Sequence, residues 1–115
     1  MTFHYYENRE KTARRIDEIV KMAGARPVIC TEWMNRPLGS TVKDCPSLFK
    51  EADIGCLAWG LVNGKTQTHL KWGHRPEMLP YKGPWQHDLF RGDFTPSDPQ
   101  EIAIIKKATG APAAK

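Results

Sequence analysis

The sequence predicts an α/β fold built on parallel strands. Two short apolar runs, Val28-Ile29-Cys30-Thr31 and Ile54-Gly55-Cys56-Leu57-Ala58-Trp59, are each preceded by a stretch of helical periodicity. Continuous apolar runs of this length, rather than alternating ones, belong to strands covered on both faces. A helix between two such strands makes a βαβ unit, with parallel pairing and a right-handed crossover. The first run also ends abruptly in Glu32 and Trp33. Folding does not ask for a carboxylate there, and in barrels of parallel strands the residues at the carboxyl ends face the active site. Glu32 is therefore a candidate catalytic carboxylate, with a solvated strand-end charge as the alternative.

The elements follow in order. Residues 8–23 have helical periodicity, with Asn8 as cap, Ala13, Ile16, Val20 and Ala23 on one face, and Gly24 as the stop. The strand opened by Pro27 comes next, then a turn-rich link, Asn35-Arg36-Pro37-Leu38-Gly39. A second helix is expected from Ser40, because Thr41 and Asp44 have capping-box spacing. Its inner face would be Val42, Cys45, Leu48, Phe49 and Ala52, with Pro46 bending or delaying it. After the strand at residues 54–59, Asn63-Gly64 marks a tight turn. Residues 66–96 are long, irregular and aromatic, holding Trp72 and Trp85 among several prolines. A loop of that length is functional or disordered, and its aromatic content predicts order. Asp98 and Pro99 then open a third helix that buries Ile102, Ile105 and Ala108, and residues 109–115 are expected to fray. Two strands alone leave open edges and uncovered faces, so the chain reads as part of something larger.

Composition narrows the function classes. With 115 residues, 40% hydrophobic and 26% charged, the chain is one ordinary globular domain. It is far short of the roughly 250 residues of a full eight-stranded α/β barrel. The net charge of +4 is spread from Arg9 to Lys107 with acids between, which predicts no nucleic-acid partner. No apolar run approaches the ~20 residues of a membrane span, so no membrane partner is expected. Cys30, Cys45 and Cys56 form no CxxC pair and read as buried free thiols. His69, His74 and His87 match no metal-ligand spacing, so neither a metal nor another cofactor is expected; His87 is read as an anchor of the loop beside Trp85 and Asp88. The first residues lack the regions of a signal peptide, and no compartment follows from that.

Three motifs in sequence order carry a resemblance. Pro27-Val28-Ile29-Cys30-Thr31-Glu32-Trp33-Met34-Asn35-Arg36 is similar to the seventh strand of cellulase-like glycoside hydrolases of clan A, the family-five-like endoglycosidases or 1,4-β-xylanases. Residues 54–68, from Ile54-Gly55-Cys56 through Trp59-Gly60-Leu61-Val62-Asn63-Gly64-Lys65 to Thr68, resemble the eighth strand and its loop. Trp85-Gln86-His87-Asp88-Leu89-Phe90, followed by Thr-Pro and an Asp-Pro-Gln-Glu helix start, resembles the way such chains close. The resemblance implies a partial (β/α)8 TIM barrel, covering roughly the end of strand six through helix eight in residues 1–110, with a frayed tail at 111–115.

It also implies roles. Glu32 falls where the clan places its catalytic nucleophile. His4 and Tyr6 fall at the end of the sixth strand, to orient that carboxylate or contact sugar. Trp59 would floor the sugar site, its indole meeting the apolar face of a pyranose. Arg36, Asn63 and Lys65 would hydrogen-bond hydroxyls from the rim. The implied partner is a β-linked oligo- or polysaccharide of xylan or glucan type. Retaining enzymes use two carboxyl groups about 5–5.5 Å apart, one as nucleophile and one as acid/base. The clan carries its acid/base on the fourth strand as Asn-Glu, and this sequence has no Asn-Glu pair and no counterpart of strands one to five. A truncated product or partial sequence is therefore expected, carrying the nucleophile without the acid/base and not hydrolysing glycosides alone. The alternatives are a non-catalytic carbohydrate-binding or assembly module, and a fragment that aggregates through open strand edges.

Overall fold

The computed structural model describes residues 1–112. It is an α/β domain around a three-stranded parallel sheet in the order β1-β2-β3, with β1 Thr2–His4, β2 Ile29–Trp33 and β3 Gly55–Ala58. Three helices accompany it: α1 Arg9–Ala23, α2 Pro46–Glu51 and α3 Pro99–Thr109. The sheet is open and does not close into a barrel. No described helix is long and apolar enough to cross a membrane. The expected frayed tail lies partly outside the described residues, at 113–115. Within them α3 continues to Thr109 and is stopped by Gly110, whose N–H donates to the Lys106 carbonyl from a left-handed conformation.

The amino-terminal residues form a short edge strand of three residues. Thr2, Phe3 and His4 pair with Ile29, Cys30 and Glu32, with a register shift between Phe3 and His4. On the other side Ile29, Cys30 and Trp33 pair with Gly55, Cys56 and Ala58. One face therefore carries Phe3, Cys30 and Cys56 toward the helices. The other turns Ile29 and Leu57 outward, both substantially exposed. Parallel sheets are ordinarily covered on both faces, and among the described residues Ile29 and Leu57 are left uncovered on this one.

α1 begins where expected: the Asn8 side chain accepts from the Lys11 N–H at 3.1 Å. Its buried stripe is Thr12, Ile16, Ile19 and Ala23, not the stripe through Ala13 and Val20. Thr12 can be buried because its hydroxyl donates to the Glu7 carbonyl at 2.9 Å, which shifts the inward face. Ala13 and Val20 border an open cleft against Leu48 and Ala52 of the second helical segment. The second helix starts at Pro46 rather than Ser40. Thr41 and Asp44 do bond reciprocally, hydroxyl to carboxylate at 2.7 Å and Asp44 N–H to hydroxyl at 3.2 Å, but they close a turn. Proline at the first helical position then sets the boundary, since its missing N–H is no loss there. The core comprises Ile16, Ile19, Val28, Cys30, Trp33, Met34, Val42, Cys45, Phe49, Ile54 and Leu89 with Ala23. All three cysteines are free, Cys30 and Cys45 buried and Cys56 half-buried. In α3, Ile102, Ile105 and Ala108 are half-buried, and the buried residue is Glu101.

Beyond β3 the chain turns at Gly60 and runs as an ordered loop with a 3-10 turn at Pro76–Met78. Gly60 has φ +86°, and a Cβ there would stand 2.6 Å from the Asp88 nitrogen and 2.7 Å from its Oδ1. Gly24 also has positive φ, but a Cβ there meets nothing within 4 Å. We expect Gly60→Ala to destabilise the domain by about 3 kcal/mol and Gly24→Ala by about 1 kcal/mol. Urea unfolding of the two variants beside the parent chain checks this; equal costs would mean the Gly60–Asp88 approach does not constrain the loop.

Candidate functional site

The carboxyl ends of the three strands carry most of the candidate side chains. Glu32 lies in the central strand, so its neighbours come from both sides. From the β1 side, the Tyr6 hydroxyl donates to Glu32 Oε2 at 2.6 Å, and His4 Nδ1 is 3.1 Å from the same oxygen. The Glu32 side chain is 25% exposed, open enough to meet a ligand yet fixed by two partners. Tyr5 N–H donates to the Glu32 carbonyl at 3.0 Å, which holds the segment leaving β1 against β2. Burial, reinforced by the adjoining Glu32 carboxylate, pushes the Tyr6 phenol far above its ordinary range, so the phenol stays protonated and donating. Burial also pushes the Cys30 thiol up to about 12, which removes it as a nucleophile at neutral pH.

From the β3 side comes Trp59. Its backbone N–H donates to the Trp33 carbonyl at 2.9 Å, placing it one strand over from Glu32, and its side chain is 45% exposed. Asn63 is half-buried, its N–H donating to the Phe90 carbonyl at 2.8 Å, while Lys65 is exposed on the same loop. His4, Tyr6 and Glu32 are thus in direct contact. Trp59, Asn63 and Lys65 share the loop that leaves β3 at the same end of the sheet.

Arg36 belongs elsewhere. Its guanidinium makes a two-pronged ion pair with Glu101 of α3, Nε to Oε1 at 2.9 Å and Nη2 to Oε2 at 2.5 Å. Its remaining donors reach the carbonyls of Trp85 at 3.0 Å, His87, and Asp88 at 3.1 Å. The two side chains are only 13% and 12% exposed. A planar fork with its donors so engaged positions backbone and has none to spare for a rim contact. Its task is to bind the returning loop and α3 to the exit of β2.

That loop covers the mouth of the sheet. After Glu32 and Trp33 the backbone turns through positive φ at the buried Met34, an uncommon conformation for a side-chain-bearing residue. The turn is held by Ser40, whose hydroxyl accepts from Met34 N–H at 3.3 Å, and by His87 Nδ1, 2.5 Å from the Met34 carbonyl. The Nδ1–H tautomer fits both bonds of the ring, because Nε2 then accepts from the Gln86 amide at 2.8 Å. Gln86 in turn accepts the Trp72 N–H at 2.7 Å. His87 therefore anchors the loop as its sequence context suggests. Gln86 carries no sequence signal that would have singled it out. Asp88 is fully buried: Oδ1 accepts from the Thr68 hydroxyl at 2.6 Å, while Oδ2 lacks a hydrogen-bond partner and lies 4.0 Å from His69 Nδ1. Among the described residues no group of three or more His, Cys, Asp or Glu side chains is arranged to hold a metal.

Burial holds the His87 imidazole below its ordinary 6.5. The unfolded chain consequently takes the proton first. Stability contributed by neutral His87 is complete above pH 6.5 and is lost as the pH falls from there toward the native value. We expect the urea midpoint of the chain to drop over that window, and His87→Gln to flatten the drop. A pH-independent difference between the two proteins would remove His87 as the titrating group.

No protein-family model, curated protein or solved structure matches the chain.

Proposed function

We propose that this domain is the nucleophile-bearing, carboxy-terminal part of a retaining glycoside hydrolase barrel acting on a β-linked polysaccharide of xylan or glucan type. One observation carries the proposal: a partly exposed carboxylate at the carboxyl end of the central parallel strand, held at one oxygen by a Tyr hydroxyl and a His nitrogen. Parallel strands present such ends as reaction sites, and a carboxylate fixed in this way is suited to attack a sugar carbon. In the step envisaged, a Glu32 oxygen bonds to the anomeric carbon as the bond to the leaving oxygen breaks, and water later releases the sugar. Tyr6 and His4 donate to the oxygen that remains outside the new bond and orient the other. Trp59 supports the reading as an exposed indole at the end of the neighbouring strand, a surface complementary to the carbon-bound hydrogens of a pyranose. Asn63 and Lys65 are assigned to sugar hydroxyls; Arg36 is assigned to loop positioning instead. The open sheet, with its uncovered apolar face at Ile29 and Leu57, is what a segment of barrel wall spanning strand six to helix eight would have.

A second reading is a carbohydrate-binding module without turnover. It is favoured by the hydrogen-bond network of Glu32, which among the described residues contains Tyr6 and His4 and no second carboxyl group. Without an acid to protonate the leaving oxygen, ordinary glycosides are expected to survive.

A fluoride leaving group needs no such protonation, which separates the two readings. Incubation with 2-deoxy-2-fluoro-β-xylobiosyl and cellobiosyl fluorides, followed by peptide mass mapping, is expected to place the glycosyl adduct on Glu32. Glu32→Gln is expected to abolish it, and Tyr6→Phe to slow its formation by about tenfold, as loss of one hydrogen bond to a charged group would. Sugar binding without an adduct would favour the binding module. A labelled residue other than Glu32 would overturn the assignment.

A further inference from the structure

We propose that Trp72 is a second sugar platform, standing on the opposite side of Glu32 from Trp59; the proposal rests on the carbohydrate reading of Glu32 given above. The sheet order fixes the two sides. Glu32 is on central β2, Trp59 follows β3, and Tyr6 follows β1. Trp72 belongs to the loop after β3, yet its ring meets Tyr6 at a centroid distance of 5.3 Å and 81° between planes. The loop therefore crosses the mouth of the sheet and delivers an indole to the far side, one aromatic ring removed from the carboxylate.

The delivery is built from buried parts. The Trp72 N–H is held by the Gln86 side chain at 2.7 Å, and the other end of that amide donates to His87, whose ring also touches the indole at 5.8 Å. Gln86 and His87 are both buried. The Gln86 amide oxygen holds the Trp72 backbone while His87 Nδ1 is engaged by the Met34 carbonyl, and Trp72 itself is left 60% exposed. A tryptophan that served only to pin the loop would bury its ring, since that is where its stabilisation comes from. The edge contacts with Tyr6 and His87, at 81° and 61° between planes, set the ring's orientation without covering it. A rigid, exposed indole close to a hydrogen-bonded carboxylate offers a flat apolar surface to a pyranose. With Trp59 following β3 and Trp72 packed against Tyr6 after β1, the two indoles flank the strand end that carries Glu32. Two platforms so arranged suit a chain of several sugars rather than a monosaccharide.

Calorimetric titration of the chain with xylohexaose and with cellohexaose tests the proposal. The chain is expected to bind at least one of the two, and Trp72→Ala to weaken that binding by about tenfold, with Trp59→Ala weakening it comparably. Trp72→Leu keeps apolar bulk for the loop but has no flat face, and is expected to lose as much affinity at an unchanged melting temperature. If Trp59→Ala weakens binding while Trp72→Ala or Trp72→Leu binds as the parent does, Trp72 is not a platform and the sugar site at Glu32 stands. If the parent chain binds neither hexasaccharide, the carbohydrate reading falls and the Trp72 proposal with it.

Discussion

The ion pair between Arg36 and Glu101 is the contact on which the rest of the site depends. Two charges at so little exposure are costly to bury unless their hydrogen bonds are met. Here they are: the guanidinium faces a carboxylate on one edge and three backbone carbonyls of residues 85–88 on the other. That arrangement joins the exit of β2, the end of the long loop and the first turn of α3. It fixes where His87 and Gln86 lie, and these in turn fix the turn at Met34 and the position of Trp72. Tyr6 and His4 hold the Glu32 carboxylate itself, while the loop that crosses above it owes its place to a pair of residues that do not touch it.

Much of this was legible in the sequence. The apolar runs, the Asn8 and Asp98 caps and Pro99 predicted parallel strands and helices that the structure contains. Glu32 drew attention because a charge has no packing reason to end an apolar strand, and Tyr6 and His4 do gather around it. Where structure and pattern differ, the causes are physical. The buried stripe of α1 runs through Thr12 rather than Ala13, because a threonine that bonds to a backbone carbonyl is buried as readily as an aliphatic residue. The second helix begins at Pro46 rather than Ser40, because a Thr-x-x-Asp pair can close a turn as well as cap a helix, and the following proline decides which. β1 is too short to have an apolar pattern, and only its partner strand defines it.

Arg36 marks a different kind of limit. Its neighbours in sequence, at the exit of a strand beside a candidate carboxylate, point to a ligand contact. Its neighbours in space are sixty-five residues away in α3 and some fifty away in the loop, and no local pattern encodes them. The same holds for Gln86, whose importance is a matter of two hydrogen bonds across the loop. From sequence, Trp72 and Trp85 read equally as distal sugar subsites or as pins for the loop. The exposure of Trp72 and its contact with Tyr6 distinguish it.

On the carbohydrate reading, sugar is recognised at the carboxyl ends of the strands, around Glu32, and not along the uncovered edge of β3. That edge is a real competitor, since Cys56, Leu57, Leu61 and Ile105 line an apolar groove of about 560 Å³ there. The most direct measurement is an amide and indole NMR titration of the chain with xylohexaose and cellohexaose. The largest shifts are expected on Tyr6, Glu32 and the indole N–H groups of Trp59 and Trp72. Shifts confined to the groove at Leu57 and Ile105, with the Glu32 cluster unmoved, would contradict recognition at Glu32.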